Sequence, residues 1–117
     1  MPEGSSPDYT GGVKIRIGTS GYAYKDWVGP VYPEGCRQAD FFDRYREIFD
    51  FTELNFSYYA FPVAKNLAAL QKKAGDDFRF ALKAHRSMTH EASENLPGLC
   101  SRFVEALEPF SEAGTLA

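Results

Sequence analysis

Residues 51–62, which read FTELNFSYYAFP, decide the fold. The first half has the composition of a short β-strand, and the second half is an aromatic loop that ends at a proline. Because successive strand side chains point to opposite faces of a sheet, Glu53 and Asn55 share one face. Burying a carboxylate and an amide in a strand without partners is costly. This face is therefore predicted to carry either ionic partners or a function.

Strands and helices alternate along the rest of the chain. Alternating apolar residues predict the strands, and apolar stripes spaced by three and four residues predict the helices. Asp40 is the expected N-cap of the first helix, Gly75 is the expected C-cap of the second, and Pro109 is expected to distort or end the third. This order predicts a parallel sheet with right-handed crossovers. The strands are predicted at residues 14–19, from residue 51, and at 78–83, and the helices at 40–49, 63–73 and 97–110.

The predicted strands have one apolar face and one mixed, charged face. Parallel sheets are normally covered on both faces, so an open three-stranded sheet fits this pattern poorly. A TIM-type (β/α)8 barrel fits it better, since helices cover the outside and the interior can hold charges close together. The outward set is Ile15, Ile17, Thr52, Leu54, Phe78, Phe80 and Leu82, and the inward charges, predicted to neutralise one another, are Arg16, Glu53, Arg79 and Lys83.

Five blocks of sequence occur in a recognisable order and spacing over about residues 14–117. They are IGTSGYAYKDW at 17–27, YPEG at 32–35, the run from Glu53 through Tyr59 to Pro62, FRFALK at 78–83, and Thr89-His90. Together they resemble the family called domain of unknown function 72, also known as the YecE-like family. Two positions depart from the family pattern. Tyr22 stands where Trp is usual, and Ala60-Phe61 stands where Arg and an aliphatic residue are common, so any substrate contact by that Arg is missing.

The resemblance implies a TIM-type barrel of roughly 250 residues. On that basis residues 13–117 are the N-terminal part of a single barrel domain and hold its first three βα units. A fourth strand is expected to start near residues 114–117. Residues 1–12 are rich in Gly, Ser and Pro and are predicted to be a disordered tail. The family has no established reaction, so the resemblance implies a fold and no substrate.

The composition is typical of a soluble protein, and we expect it in the cytoplasm. The chain has 117 residues, of which 44% are hydrophobic and 25% charged. A formal net charge of −3 disfavours a nucleic-acid partner, although a local basic cleft stays possible in an acidic total. No apolar run is long enough to cross a membrane. Cys36 and Cys100 fit no metal spacing and are expected to be free thiols.

The catalytic candidates are one carboxylate and one histidine. Glu53 is a candidate general acid or base near the pocket floor, and the alternative is that it only pairs with the interior cations. His90 follows Thr89 in the loop after strand three, where catalytic groups of this fold gather, and the alternative is a surface histidine. His85 lies outside the family blocks and is not expected to take part. No metal-ligand spacing is present, so no metal is predicted and the cofactor stays unassigned.

The ligand-binding candidates surround these two groups. Asn55 could orient a ligand, and Lys83 could bind an anion or instead be a partner of Glu53. Ser20 lies in a tight turn over the barrel mouth and has no visible base that would make it a nucleophile. Aromatic side chains could form a stacking wall for a ring or simply a packed loop layer. They are Tyr24, Trp27, Tyr32, Tyr58 and Tyr59.

Three functions remain open from the sequence. The first is a TIM-barrel enzyme, a hydrolase, lyase or isomerase, that acts by acid/base chemistry on a small polar or carbohydrate-like substrate. The second is a non-catalytic barrel that binds a ligand or a nucleic acid. The third is a fragment without activity of its own, because half a barrel leaves its interior unclosed.

Overall fold

The computed structural model describes residues 14–89 and 95–117. Strands and helices alternate as predicted, with short additional helices after the second and third strands. The disordered-tail prediction and the candidate His90 lie outside the described residues. The strands are β1 Gly18–Ser20, β2 Phe51–Leu54 and β3 Arg79–Leu82, and the α-helices are α1 Phe41–Tyr45, α2 Phe56–Tyr59, α3 Ala64–Ala74, α4 Arg86–Thr89, α5 Leu96–Ala106 and α6 Glu108–Ala113.

The three strands form one parallel sheet in the order β1-β2-β3, so the prediction of a parallel α/β sheet is confirmed. Gly18 lies opposite Phe51, and Ser20 lies opposite Glu53. On the next pair of strands, Glu53 lies opposite Ala81. This register brings the carboxyl ends of the three strands to one edge of the sheet, which is where ligands bind in parallel α/β folds.

The outer side of β3 is also paired. Phe80 forms a parallel bridge with Leu116. The Phe80 N–H donates to the Thr115 carbonyl over 2.8 Å, and the Ala117 N–H donates to the Phe80 carbonyl over 2.7 Å. Residues 115–117 therefore occupy the position of a fourth parallel strand, where the resemblance implies one. An eight-stranded closed barrel remains a prediction.

Helices cover the apolar face of the sheet, and aromatic rings make most of this contact. Phe80 is fully buried and stacks on Phe110 of α6, with ring centroids 4.2 Å apart. Phe80 also stacks on Phe42 of α1, with ring centroids 6.0 Å apart. Thr52 and Leu54 are buried on the same face. Since burial of apolar area is the dominant favourable term in folding, this layer fixes the orientation of the opposite, polar face.

Tyr45 joins α1 to the sheet through its buried hydroxyl. Its side chain has no exposed surface. The Oη atom accepts a hydrogen bond from the Thr19 N–H and donates one to the Phe51 carbonyl, each over 2.8 Å. Both partners are backbone groups at the β1–β2 junction. The hydroxyl therefore helps to fix the register of β1 against β2.

The predicted neutralisation of the interior charges is wrong. Arg16 lies at the amino end of the sheet, where its guanidinium bonds the side chains of Asp50 and Asp77 and both of their backbone carbonyls, over 2.7 to 3.4 Å. Among residues 14–89 and 95–117, Glu53 forms no ion pair with a cation. Arg79 donates instead to the carbonyls of Asp76 and Phe78. Arg16 is separated from Glu53 because the two residues lie at opposite ends of the paired strands.

Two residues of the predicted outward apolar set are exposed. Ile15 is 80% exposed and Ile17 is 68% exposed. The first strand was predicted over residues 14–19, but pairing starts only at Gly18. Within the described residues, no strand lies on the far side of β1. The two isoleucines therefore have the predicted alternation without a neighbouring element to cover them.

The helix predictions are correct in position and need corrections at the ends. The first helix ends at Tyr45, four residues early, and Asp40 does not cap it, because its carboxylate bonds Arg37 Nε over 3.0 Å instead. Gly75 caps α3 as predicted, with φ of 78° and its N–H on the Gln71 carbonyl. The third predicted helix is two helices, and Pro109 lies in the first turn of the second one. No helix in the described part of the chain is long and apolar enough to span a membrane.

Candidate functional site

Ser20, Glu53 and Asn55 form a hydrogen-bonded cluster at the carboxyl ends of β1 and β2. Asn55 Nδ2 donates to Ser20 Oγ over 2.6 Å, and Ser20 Oγ donates to Glu53 Oε1 over 2.9 Å. The Gly21 N–H also donates to the Glu53 backbone carbonyl over 2.8 Å. All three side chains are sequence candidates, and the structure brings them together. The predicted shared face of Glu53 and Asn55 holds, with Ser20 between them.

The turn after β1 depends on Gly21. Its φ of 87° lies in the region that favours glycine, and a Cβ there would stand 2.8 Å from Tyr24 Oη. The turn brings Tyr24 back over the strand end, where its hydroxyl donates to the Ser20 carbonyl. Sequence reasoning identified no base for Ser20, whereas the structure places the Glu53 carboxylate within hydrogen-bond distance of it. The cluster therefore combines a carboxylate, a hydroxyl and an amide within one short network.

A cavity of about 230 Å³ adjoins this cluster. Its wall is mostly apolar, and Asn55 belongs both to the wall and to the hydrogen-bonded cluster. Tyr24 is 40% exposed and belongs to the lining of this cavity. The lining residues are Gly21, Tyr22, Ala23, Tyr24, Leu54, Asn55, Phe56 and Leu70.

One end of the Asn55 amide has no partner in the described part of the chain. The Oδ1 atom is buried and accepts no hydrogen bond there. Its Nδ2 atom, in contrast, donates to Ser20. Buried polar atoms of proteins are nearly always paired, so an orphaned acceptor marks a place where a donor is expected.

Trp27 belongs to the packed layer beneath the site more than to its wall. Its ring lies 5.7 Å from Tyr32 and 6.5 Å from the buried Tyr45, between ring centroids. Its ring also contacts the Tyr24 ring, with centroids 4.8 Å apart. Burial raises the pKa of Tyr32 to about 12 and also raises the pKa of Tyr22. These hydroxyls therefore stay protonated at neutral pH, and Tyr32 donates to the Tyr22 carbonyl over 2.6 Å.

Lys83 and Tyr59 lie on the β3 side of the same edge. The Lys83 ammonium lies 5.7 Å from the centroid of the Tyr58 ring. The backbone N–H of Lys83 donates to the Leu54 carbonyl over 3.1 Å. Tyr59 is 69% exposed and packs edge-on against Tyr58 at 5.1 Å. The structure does not join Lys83 to Glu53 by an ion pair within the described residues.

Ser57 is a residue that sequence reasoning missed. It is fully buried, and its hydroxyl donates to the Lys83 carbonyl over 2.6 Å. It therefore ties the start of α2 to the end of β3, next to the candidate site. A small hydroxyl residue within the aromatic run of 56–61 was the available signal, because Ser is out of place among large rings unless its hydroxyl is needed.

His85 contacts Phe61 and Ser87. Its ring packs on Phe61 at 4.6 Å, and its Nδ1 accepts the Ser87 N–H over 3.2 Å. Acceptance at Nδ1 leaves Nε2 to carry the proton of the neutral ring. Among residues 14–89 and 95–117, no group of three or more His, Cys, Asp or Glu side chains is placed to hold a metal ion. Both cysteines in that part of the chain are free.

Comparison with known proteins gives one family. The family model described as "Protein of unknown function DUF72" matches residues 16–117. A crystal structure of a DUF72 family protein from Thermotoga maritima is similar with a TM-score of 0.72 and 31% identity, covering 87% of this chain and 41% of that one. A DUF72 family protein from Enterococcus faecalis has a TM-score of 0.68 at 22% identity, covering 88% of this chain and 37% of that one, and shows likeness of fold alone. No curated protein matches the chain. The chain thus spans about two fifths of the length of these solved relatives.

Proposed function

The chain belongs to the DUF72 family, whose function is unknown, and we propose from its own geometry that it carries part of an acid/base enzyme site. The substrate would be a small polar or carbohydrate-like molecule, and the reaction a hydrolysis, elimination or isomerisation. Glu53 would transfer the proton. The observation that carries the proposal is the Ser20–Glu53 hydrogen bond of 2.9 Å at the carboxyl ends of two paired parallel strands.

The surrounding contacts support a positioned carboxylate. A general acid or base works only when it is held within hydrogen-bond reach of the proton it transfers. Ser20 donates to one oxygen of Glu53, and Asn55 in turn donates to Ser20, so the orientation of the carboxyl group is fixed by two consecutive bonds. The second carboxyl oxygen, Oε2, accepts no hydrogen bond from residues 14–89 or 95–117 and is free to face a substrate.

We also propose that the sheet continues into a closed (β/α)8 barrel. Three observations support this. The strands are parallel, residues 115–117 add to β3 as a fourth strand would, and the solved relatives are more than twice as long as the matched region. In such a barrel the carboxyl ends of the strands form the catalytic face, which is where the cluster lies.

The test is a screen of a metabolite panel for turnover, by this chain and by a full-length family member that carries the equivalent residues. Glu53→Gln should lower turnover of any substrate found by at least about 100-fold, the usual contribution of a general acid or base. Glu47→Gln is the matched control, because Glu47 is exposed and, among the described residues, pairs only with Arg44. Ser20→Ala should cause a smaller loss, since Ser20 acts through Glu53. Full turnover by Glu53→Gln would overturn the assignment.

One observation favours a non-catalytic binding protein as the second candidate. Glu53 is absent from the lining of the cavity, although Asn55 belongs to it. A ligand held wholly within the cavity would therefore contact no acid or base of the cluster. Binding of a panel compound that is never turned over, with equal affinity in wild type and Glu53→Gln, would favour this candidate.

A further inference from the structure

The cavity of about 230 Å³ lies where three segments of the chain meet. These are the loop after β1, the junction of β2 with α2, and the helix α3. Leu54, the last residue of β2, is only 4% exposed, and Leu70 of α3 packs against the core. Two leucines on separate elements therefore give the cavity apolar walls that the folded core holds in place.

Three aromatic side chains complete these walls. Tyr22 packs edge-on against Phe42 of α1, with ring centroids 5.1 Å apart, and burial raises its pKa, so it stays protonated at neutral pH. Tyr24 and Phe56 also line the cavity and are 40% and 45% exposed. Two large rings that keep accessible surface beside a cavity can cover a ligand without any change of the fold. Apolar and aromatic walls of this kind are typical of small-molecule sites.

The lining carries no formal charge. None of the described residues that line the cavity is Asp, Glu, Lys, Arg or His. Several of its polar groups are already bonded within the chain. The Tyr24 hydroxyl donates to the Ser20 carbonyl, and the Gly21 N–H donates to a carbonyl of β2. A charged group that entered the cavity would lose its hydration without gaining a partner of opposite charge.

The volume limits the size of the occupant. An apolar cavity of about 150 Å³ in a protein interior is large enough for benzene, whereas ordinary ligand pockets begin at roughly 300 Å³. The value of about 230 Å³ lies between these two sizes. The cavity therefore suits one six-membered ring with a short substituent. Aromatic walls favour an aromatic ring over a saturated one, because ring pairs gain from stacked or edge-on geometry beyond the area they bury.

We propose that this cavity is a binding site for a single uncharged aromatic ring of a small molecule. The site is separate from the Ser20–Glu53 pair. Glu53 and Leu54 are neighbours in β2, so their side chains point to opposite faces of the sheet, and Glu53 is absent from the lining. The proposal therefore goes beyond the acid/base function and does not depend on it.

The experiment uses three probes that differ in one property each. Benzyl alcohol is aromatic and neutral, cyclohexylmethanol is saturated and neutral, and benzoate is aromatic and anionic. Binding to the isotope-labelled 117-residue chain is followed by NMR up to about 10 mM probe, tenfold above an expected Kd of about 1 mM. Benzyl alcohol should shift the backbone resonances of Ala23, Leu54, Phe56 and Leu70, which represent all three segments.

The probes should bind in a fixed order. Cyclohexylmethanol should bind at least about twofold more weakly than benzyl alcohol, because it lacks the ring–ring term. Benzoate should bind at least about tenfold more weakly, because the lining offers its carboxylate no cation. Equal binding of cyclohexylmethanol, equal or tighter binding of benzoate, shifts centred outside the lining, or no shift with any probe would overturn the proposal.

Phe56→Ala should weaken benzyl alcohol binding by about tenfold, because it removes one aromatic wall. Tyr59→Ala is the matched control, since Tyr59 lies on the same short helix, is 69% exposed and does not line the cavity. Phe56→Leu keeps an apolar side chain and should only reduce the preference for the aromatic probe, which gives a test if Phe56→Ala does not fold. Unchanged binding and preference in both Phe56 variants would contradict the site.

Glu53→Gln separates this proposal from the catalytic one. It should leave the Kd of benzyl alcohol within about twofold, because Glu53 does not line the cavity. A tenfold loss in that variant would place the ring at the Ser20–Glu53 pair and overturn the proposal. Full turnover of a substrate by Glu53→Gln, in contrast, would contradict the proposed function and leave the ring site standing.

Discussion

Replacing Gly18 with alanine should separate β1 from β2. A Cβ at this position would lie 1.7 Å from the Phe51 carbonyl oxygen, half the 3.4 Å at which ordinary contact begins. It would also stand 2.5 Å from the Phe51 carbonyl carbon and 3.0 Å from the Phe51 Cδ2 atom. The obstacle is backbone in the paired strand, so no side-chain rotation can relieve it. Only a shift of one strand away from the other would make room.

The magnitude follows from the bonds that such a shift would break. The Gly21 N–H would leave the Glu53 carbonyl, and the Thr52 hydroxyl would leave the Thr19 carbonyl. Each net hydrogen bond is worth about 1 kcal/mol, and overpacking adds about 1–3 kcal/mol. We therefore expect a loss of about 3–5 kcal/mol in the free energy of unfolding. This is a large part of the roughly 5–15 kcal/mol that usually holds a domain together.

The assay is urea-induced unfolding, followed by tryptophan fluorescence from Trp27. Gly35→Ala is the control. Apart from its two neighbours in sequence, no described residue has an atom within 4 Å of the position of its Cβ, although its φ of 79° makes alanine unfavourable. The control should lose about 1 kcal/mol from backbone strain alone. An unfolded Gly18→Ala variant beside a folded Gly35→Ala variant would support the reasoning. A loss no greater than that of the control would refute it.

Two further predictions concern the contacts that hold the strands. Tyr45→Phe should lower the free energy of unfolding by about 1–3 kcal/mol, because the Thr19 N–H and the Phe51 carbonyl lose their buried partner. Tyr59→Phe is the control, since this side chain is 69% exposed, and it should leave the free energy of unfolding almost unchanged in the same urea titration. The hydrogen bond from Arg16 lowers the pKa of Asp77 in the folded protein. The Asp77 carboxylate therefore stabilises the fold at pH values above its pKa in the unfolded chain. This contribution is lost as the pH falls through the lower pKa of the folded state. Unfolding titrations between pH 7 and 2 should therefore show an acid-side loss of stability that is smaller in Asp77→Asn, and equal slopes in both proteins would contradict the role of the Arg16 contact.

Strand periodicity predicted that Glu53 and Asn55 point to one side, and both contact Ser20, although β2 ends at Leu54 and Asn55 has helical backbone angles, with φ of −99° and ψ of −20°. Side chains two residues apart in a strand share a face whatever the strand pairs with. The same rule places Ser20 on that face of β1. The Ser20–Glu53 bond could not be predicted, because it also needs the register that puts these two residues opposite each other. Register comes from contacts between distant segments, here the Tyr45 hydroxyl and the close approach at Gly18.

The ion pair predicted between Arg16 and Glu53 fails because two residues on the same face of a sheet can still lie far apart along the strands. Periodicity places Arg16 and Glu53 on one face, and the sequence-based hypothesis paired them on that ground. The register puts Gly18 opposite Phe51, so Arg16 is level with residue 49, four residues below Glu53. At about 3.3 Å per residue this is about 13 Å, beyond the reach of an ion pair.

The polar face is consequently divided between the two ends of the strands. At the amino end, Arg16 is matched by Asp50 and Asp77 and its side chain is only 14% exposed, as expected of a contact that stabilises the sheet. At the carboxyl end, Glu53 has a hydroxyl in place of a cation, and Asn55 has an oxygen without a donor among the described residues. A set of charges that served stability alone would be matched at both ends. The mismatch at the carboxyl end therefore supports the proposed site at that end of the sheet and not at the other end.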